Sequence, residues 1–214
     1  TSQANASFLG DVRAWGRIAK HLGVWHYAAN YTNHHIPHPN LTPLESDLRL
    51  FADSKVELMF IEGDHSGNQP GELGELRIWL LRNLMWDPSR SQAALTEEFL
   101  RLYYKDAAPE MAEYVALMEA EAQRPGAVLT CYMPDTSSWL RLKTLLRARD
   151  ILKRAEEKAA NDPVLKAKIA RVKFTADIAL LLRGECAGFN TDKSTRPEID
   201  LGAVISEVDR ERRN

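Results

Sequence analysis

Two short clusters hold the side chains best suited to recognising or transforming a ligand. Glu62, Asp64 and His65 open the polar run Glu62-Gly63-Asp64-His65-Ser66-Gly67-Asn68-Gln69-Pro70-Gly71. A carboxylate there can act as acid or base, or accept a hydrogen bond from a sugar hydroxyl. It can equally cap a following helix. Trp25, Tyr27 and Tyr31 form the second cluster. The C–H face of a pyranose stacks on such rings while their polar tips reach hydroxyls; the same rings can instead fill a core, the usual place of aromatic strand residues. Glycoside hydrolysis needs two carboxyl groups at a fixed separation, and the sequence offers one obvious cluster. These six residues are therefore expected to line a substrate site, with no catalytic residue assigned.

Other chemistries find less support. His34-His35-x-x-His38 suggests a metal, but Pro37 and Pro39 exclude the helical His-x-x-x-His arrangement and no cysteine is near. The loop is read as solvated or substrate-lining, with no metal and no cofactor. Arg141, Lys143, Arg147, Arg149, Lys153 and Arg154 interleave with Asp150, Glu156 and Glu157, the pattern of a solvated helix face rather than a nucleic-acid surface. A Gly-x-Gly-x-x-Gly turn, a phosphate loop and a Gly-x-Ser-x-Gly elbow are all missing.

The elements that must position the two clusters alternate. Phe8, Val12, Trp15, Ile18 and Ala19 recur at helical spacing, which predicts a helix over Asn5 to His21. Val24 to Ala29 reads as a strand, followed by a polar loop from Asn30 to Leu41. Thr42-Pro43-Leu44-Glu45 predicts a capped helix start, with Glu45 closing a capping box and the helix running to about residue 54. Val56 to Ile61 is the second strand. Alternation places Trp25 with Tyr27 on one face, and Leu58, Phe60 and Glu62 on one face of its neighbour. Helix–strand–loop order implies parallel strands with crossover helices, whose functional loops follow the C-terminal strand ends.

After Gly71 the sequence turns helical. Expected helices cover Glu72 to Trp86, with Leu73, Leu76, Leu80 and Leu84 in one stripe, then Ser91 to Tyr104 and Pro109 to Gln123. Val128 to Tyr132 reads as a short strand or a loop. Asp135 is expected to cap a helix through Ala160, and Asp162-Pro163 another ending near Gly184, the two packing antiparallel. Two parallel strands are too few for a stable sheet, so partner strands are expected from another part of the same polypeptide, the alternative being a very small sheet covered by the helices.

Composition narrows the classes. The chain has 214 residues and a formal net charge of −2, so no global basic field draws it to nucleic acid or an anionic membrane. The most apolar stretch, Ile178 to Leu182, is far shorter than a membrane span. Cys131 and Cys186 are read as two unpaired thiols, with a single disulfide as the alternative.

A run of residues carries a resemblance. Gly23-Val24-Trp25-His26-Tyr27, Tyr31, Pro37-x-Pro39-Asn40-Leu41, Asp47-Leu48-Arg49 and Phe60-x-Glu62-Gly63 look like the bacterial family of unknown-function domain number 4838. The likeness continues through Leu80-x-x-x-Leu84-x-Trp86-Asp87-Pro88, Glu98-Phe99 and Tyr103-Tyr104-x-x-Ala107-Ala108. That family is glycoside-hydrolase-like and is similar to the endo-β-N-acetylglucosaminidases of glycoside hydrolase family 163, whose barrel is a TIM barrel. The resemblance implies that Trp25 and Glu62 lie on the last two barrel strands and that the catalytic acids sit on earlier strands. It also implies a periplasmic or extracellular setting.

The expected fold class is therefore α/β moving to all-α. Residues 1–88 would be the last two strand–helix units of a TIM-type barrel, and residues 89–214 a helical C-terminal region, mostly helical overall. The expected function is the C-terminal part of a carbohydrate-active, glycosidase-like protein. Its partners would be a glycan substrate and the N-terminal remainder of the polypeptide, with neither nucleic acid nor membrane. The alternative is a non-catalytic helical module that binds carbohydrate or protein.

Overall fold

Residues 5–64 and 71–187 are described in a computed structural model; for residues 184–187 this covers the backbone alone. His65 lies outside the described residues. The order is α1 (Ala6–Ile18), β1 (Gly23–Tyr27), α2 (Leu44–Asp53), β2 (Leu58–Glu62), α3 (Gly74–Trp86), α4 (Gln92–Tyr104), a single 3-10 turn, α5 (Ala108–Ala122), α6 (Leu142–Lys158) and α7 (Pro163–Ala187). The chain is mostly helical with one small parallel sheet, as its periodicities predict.

The strands pair in parallel, with Trp25 opposite Phe60 and Tyr27 opposite Glu62. Alternation divides the sheet. Val24, Met59 and Ile61 pack against the core, and the His26 ring meets Phe51 of α2 edge-on. The opposite face is bare: Trp25, Tyr27, Leu58 and Phe60 are 63%, 45%, 71% and 51% exposed. Among the described residues neither strand has a second neighbour.

The helices build a dry interior. The predicted stripe Leu73, Leu76, Leu80 and Leu84 is wholly buried, as is Leu165, Ile169, Val172, Ala176 and Ala179 of α7. One apolar cluster runs from Val12 to Leu180. Helices α6 and α7 are antiparallel: Arg149 pairs with Asp177 and Glu156 with Lys173, so later residues of one meet earlier residues of the other.

In α1 only Val12 of the predicted stripe is buried; Phe8, Trp15 and Ile18 are exposed. That helix lies close to the end of α2, where a Cβ on Gly16 would stand 2.5 Å from the Ser54 carbonyl oxygen. Two helix-cap expectations, at Thr42 and at Asp135, need correction. The capping box at Thr42 does not form. Glu45 instead accepts from the Gln92 backbone N–H at 2.8 Å and pairs with Arg49, tying α2 to the start of α4. Asp135 caps no helix. Its Oδ1 accepts from the Ser137 N–H at 2.7 Å in a local turn, and α6 starts only at Leu142. Residues 128–132, read as either a short strand or a loop, are loop.

Candidate functional site

The C-terminal ends of β1 and β2 gather the aromatic residues. Trp25 donates from Nε1 to Glu62 Oε2 at 2.9 Å, across the pair of strands. Its ring meets Phe60 edge-on with centroids 4.6 Å apart. Tyr31, just past β1, donates from its hydroxyl to the Glu62 carbonyl oxygen at 2.5 Å, and that oxygen also accepts from the Ala28 N–H at 2.9 Å. The backbone of Glu62 is thus fixed by two donors, and its carboxylate is steered by the indole. Burial pushes the Tyr31 phenol up to about 12, with the Glu62 charge adding to the shift, so Tyr31 remains a neutral donor across the physiological range.

Asp64 takes a different part. Its carboxylate contacts His34 Nδ1 at 3.1 Å and accepts from the Gly71 N–H at 2.5 Å, with both side chains of the pair about 11% exposed. It links the two loops and is nearly buried between them. Free Cys131 sits at the same end of the molecule: its carbonyl oxygen accepts from the Tyr31 N–H at 2.8 Å.

Sequence reasoning missed Tyr132. Its ring lies 5.9 Å from that of Tyr31 and 6.5 Å from that of Tyr27, while Tyr27 and Tyr31 are 5.4 Å apart. An aromatic residue in a turn-rich stretch between Pro125-Gly126 and Pro134 was the available signal, but nothing local points it at β1. Three mutually touching rings leave no gap for a ligand between them, so a ligand would lie on the trio and not inside it.

The β1–α2 loop behind the face is held by buried polar groups. Glu72 accepts from the His38 backbone N–H at 2.8 Å and from the Tyr114 hydroxyl. Arg77 donates to the His38 carbonyl at 3.0 Å and to Asn40 Oδ1 at 2.8 Å; Asn40 in turn donates to the Ala28 carbonyl at 3.2 Å. This network carries order from α3 and α5 to the end of β1. Burial raises the Glu72 carboxyl and lowers His38 to about 3, so the imidazole is neutral.

Residues 1–116 match the family model of a domain of unknown function, DUF4838. The chain belongs to this family. Trp25, Tyr27, Tyr31, Glu62 and Asp64 fall inside the DUF4838 match, and Tyr132 falls beyond it. No curated protein and no solved structure matches the chain.

A large groove lies elsewhere among the described residues. About 1140 Å³ in volume, it runs between α2, α4 and α5 and shares no lining residue with the aromatic face. Its walls are small residues such as Ala93, Ala112 and Ala116, with Arg49, Asp53 and Glu97 at hand. Its lining holds no aromatic platform, so the strand ends are the better candidate for a sugar. Among the described residues no three His, Cys, Asp or Glu side chains converge to hold a metal ion, and no helix is long and apolar enough to cross a membrane.

Proposed function

We propose that this DUF4838 chain is the C-terminal part of a carbohydrate-active, glycosidase-like protein, and that its strand ends supply substrate-lining residues to a barrel-type site. The observation that carries this reading is the Trp25–Glu62 pair: an exposed indole in the middle of β1 held by the carboxylate at the C-terminal end of the adjacent parallel strand. Such a pair suits a sugar, because the ring can take the C–H face while the carboxylate accepts from a hydroxyl. The bare sheet face, and outer strand edges that have no partner among the described residues, favour further strands closing over them, since parallel sheets are ordinarily covered on both faces. Glu62 is one carboxylate, and hydrolysis needs two. The second belongs, on this reading, to earlier strands of the polypeptide.

The test uses the full-length protein and a panel of glucose, galactose, mannose and N-acetylglucosamine oligosaccharides. Trp25→Ala should weaken binding by about 1–3 kcal/mol, the scale of one lost large apolar contact, with little change in melting temperature. Unchanged affinity together with a large loss of stability would make the ring a packing residue and remove the subsite.

A further inference from the structure

The loop that presents Tyr132 is fastened to the strand ends from several sides. Asn30, 2% exposed, donates from Nδ2 to the Met133 carbonyl at 2.8 Å and accepts at Oδ1 from the Met133 N–H, also at 2.8 Å. This two-bond clamp gives Met133 the pairing that a neighbouring strand would give. The Tyr31 N–H donates to the Cys131 carbonyl at 2.8 Å, and Asn33 Nδ2 to the Pro134 carbonyl at 3.3 Å. Residues 131, 133 and 134 are thereby fixed by residues 30 to 33, more than ninety positions earlier in the chain. The Met133 side chain is buried, whereas Tyr132 between the clamped positions is 60% exposed and stands against Tyr27 and Tyr31. Further along the same excursion, Glu121 accepts from the Arg141 backbone N–H at 3.0 Å and from its guanidinium at two points of 2.6 Å.

A buried asparagine satisfied at both ends of its amide is costly to assemble and specific in what it fixes. Here it fixes an exposed tyrosine beside the candidate subsite. On the reading of the strand ends as a carbohydrate site, we infer that Tyr132 is a specificity-determining contact of that site, contributed by the helical region. It extends the Trp25–Tyr27 face sideways, and its ring and hydroxyl would meet the sugar unit next to the one stacked on Trp25. Asn30 is the positioning residue that holds it there. Because Tyr132 lies outside the segment that matches the family, the choice among sugars would be set by a part of the chain that the family match does not reach.

The same panel on the full-length protein decides the matter. Tyr132→Ala should lower affinity for the best-bound oligosaccharide about tenfold, the range expected for one lost aromatic contact, and reorder the panel. Tyr132→Phe should keep most of the affinity. Asn30→Ala, which frees the loop, should give the same new rank order as Tyr132→Ala, a change that mere destabilisation would not produce. If Trp25→Ala weakens binding as expected while both Tyr132 variants keep wild-type affinity and order, the inference is wrong and the proposed site stands. If none of these variants alters binding, or the wild-type protein binds nothing on the panel, the proposed site falls and the inference with it.

Discussion

In the helical bundle Leu80, Met111, Leu145 and Trp139 have no accessible surface left, whereas on the sheet Trp25, Leu58 and Phe60 keep more than half of theirs. Both regions are rich in large apolar side chains, so hydrophobicity alone does not separate them. The arrangement does. The bundle has a partner helix for every stripe: α3 meets α4, α5 meets α6, and α6 meets α7. The sheet has a partner for one face only. Burial of an aliphatic side chain stabilises by roughly 1.5–3 kcal/mol, and that term is present in the bundle and missing from the outer sheet face. Stability is therefore concentrated in α3 to α7, and the strand ends are free to be shaped by what they contact.

The largest effect should expose this contrast directly. Leu80→Ala should cost about 3–4 kcal/mol, because it empties a fully buried site. In the 214-residue chain by itself, Leu58→Ala, the same change on the bare face, should alter stability by less than about 0.5 kcal/mol, and closure of further strands over that face would raise the value. Urea denaturation of the two variants side by side is the measurement. Similar losses for both would mean that the sheet face is covered in solution, and the comparison would fail.

Much of this contrast could be read from the residues. The leucine stripe of α3 and the stripe of α7 are plain 3.6-residue patterns, and both are buried. The strand alternation that pairs Trp25 with Tyr27 is equally local. What escaped is what depends on distant partners. Glu45 has the spacing for a capping box, yet Gln92, brought beside it by the packing of α4, takes the carboxylate. Asp135 has a cap's residue type, but the Ser137 N–H two residues on satisfies it first. Phe8, Trp15 and Ile18 have a helical core pattern without a surface to cover them. Tyr132 reaches the site through a clamp spanning 103 positions, which no window of sequence reveals.

The second effect concerns the base of the loop between α5 and α6 that carries Tyr132. Glu121 is almost fully buried, and its bonds to Arg141 hold its carboxyl down to about 2. Its ordinary value is 4.5, so the unfolded chain takes up the proton first as pH falls. The stabilisation is complete above about pH 4.5 and is lost between there and pH 2. Glu121→Gln should cost about 3 kcal/mol at pH 7, at the lower end for a broken buried pair because Arg141 retains access to water. It should also flatten the acid limb in that window. If the same variant left Tyr132-dependent binding intact, the pair would serve the bundle alone and not the loop.

The smallest effect at neutral pH should come from His38, and it separates the two regions most finely. The imidazole is buried beside Arg77, and its Nδ1 finds no hydrogen-bond partner among the described residues. Burial chiefly, and the Arg77 charge next, lower it from 6.5 to about 3. Between those values the unfolded chain binds a proton that the folded protein refuses. Stability should therefore fall as pH drops below 6.5, by at most about 1.4 kcal/mol per pH unit. The links from this loop to Glu72 and Arg77 run through the His38 backbone, which a substitution keeps. His38→Leu should thus leave stability at pH 7 within about 1 kcal/mol of wild type and remove that slope. Glu72, whose own carboxyl is raised by burial, is present in both proteins, so the difference between their pH profiles isolates the histidine. Equal slopes from pH 6.5 to 4.5 would mean that the imidazole is solvated, and that the order imposed by α3 and α5 does not extend along the loop to the strand ends.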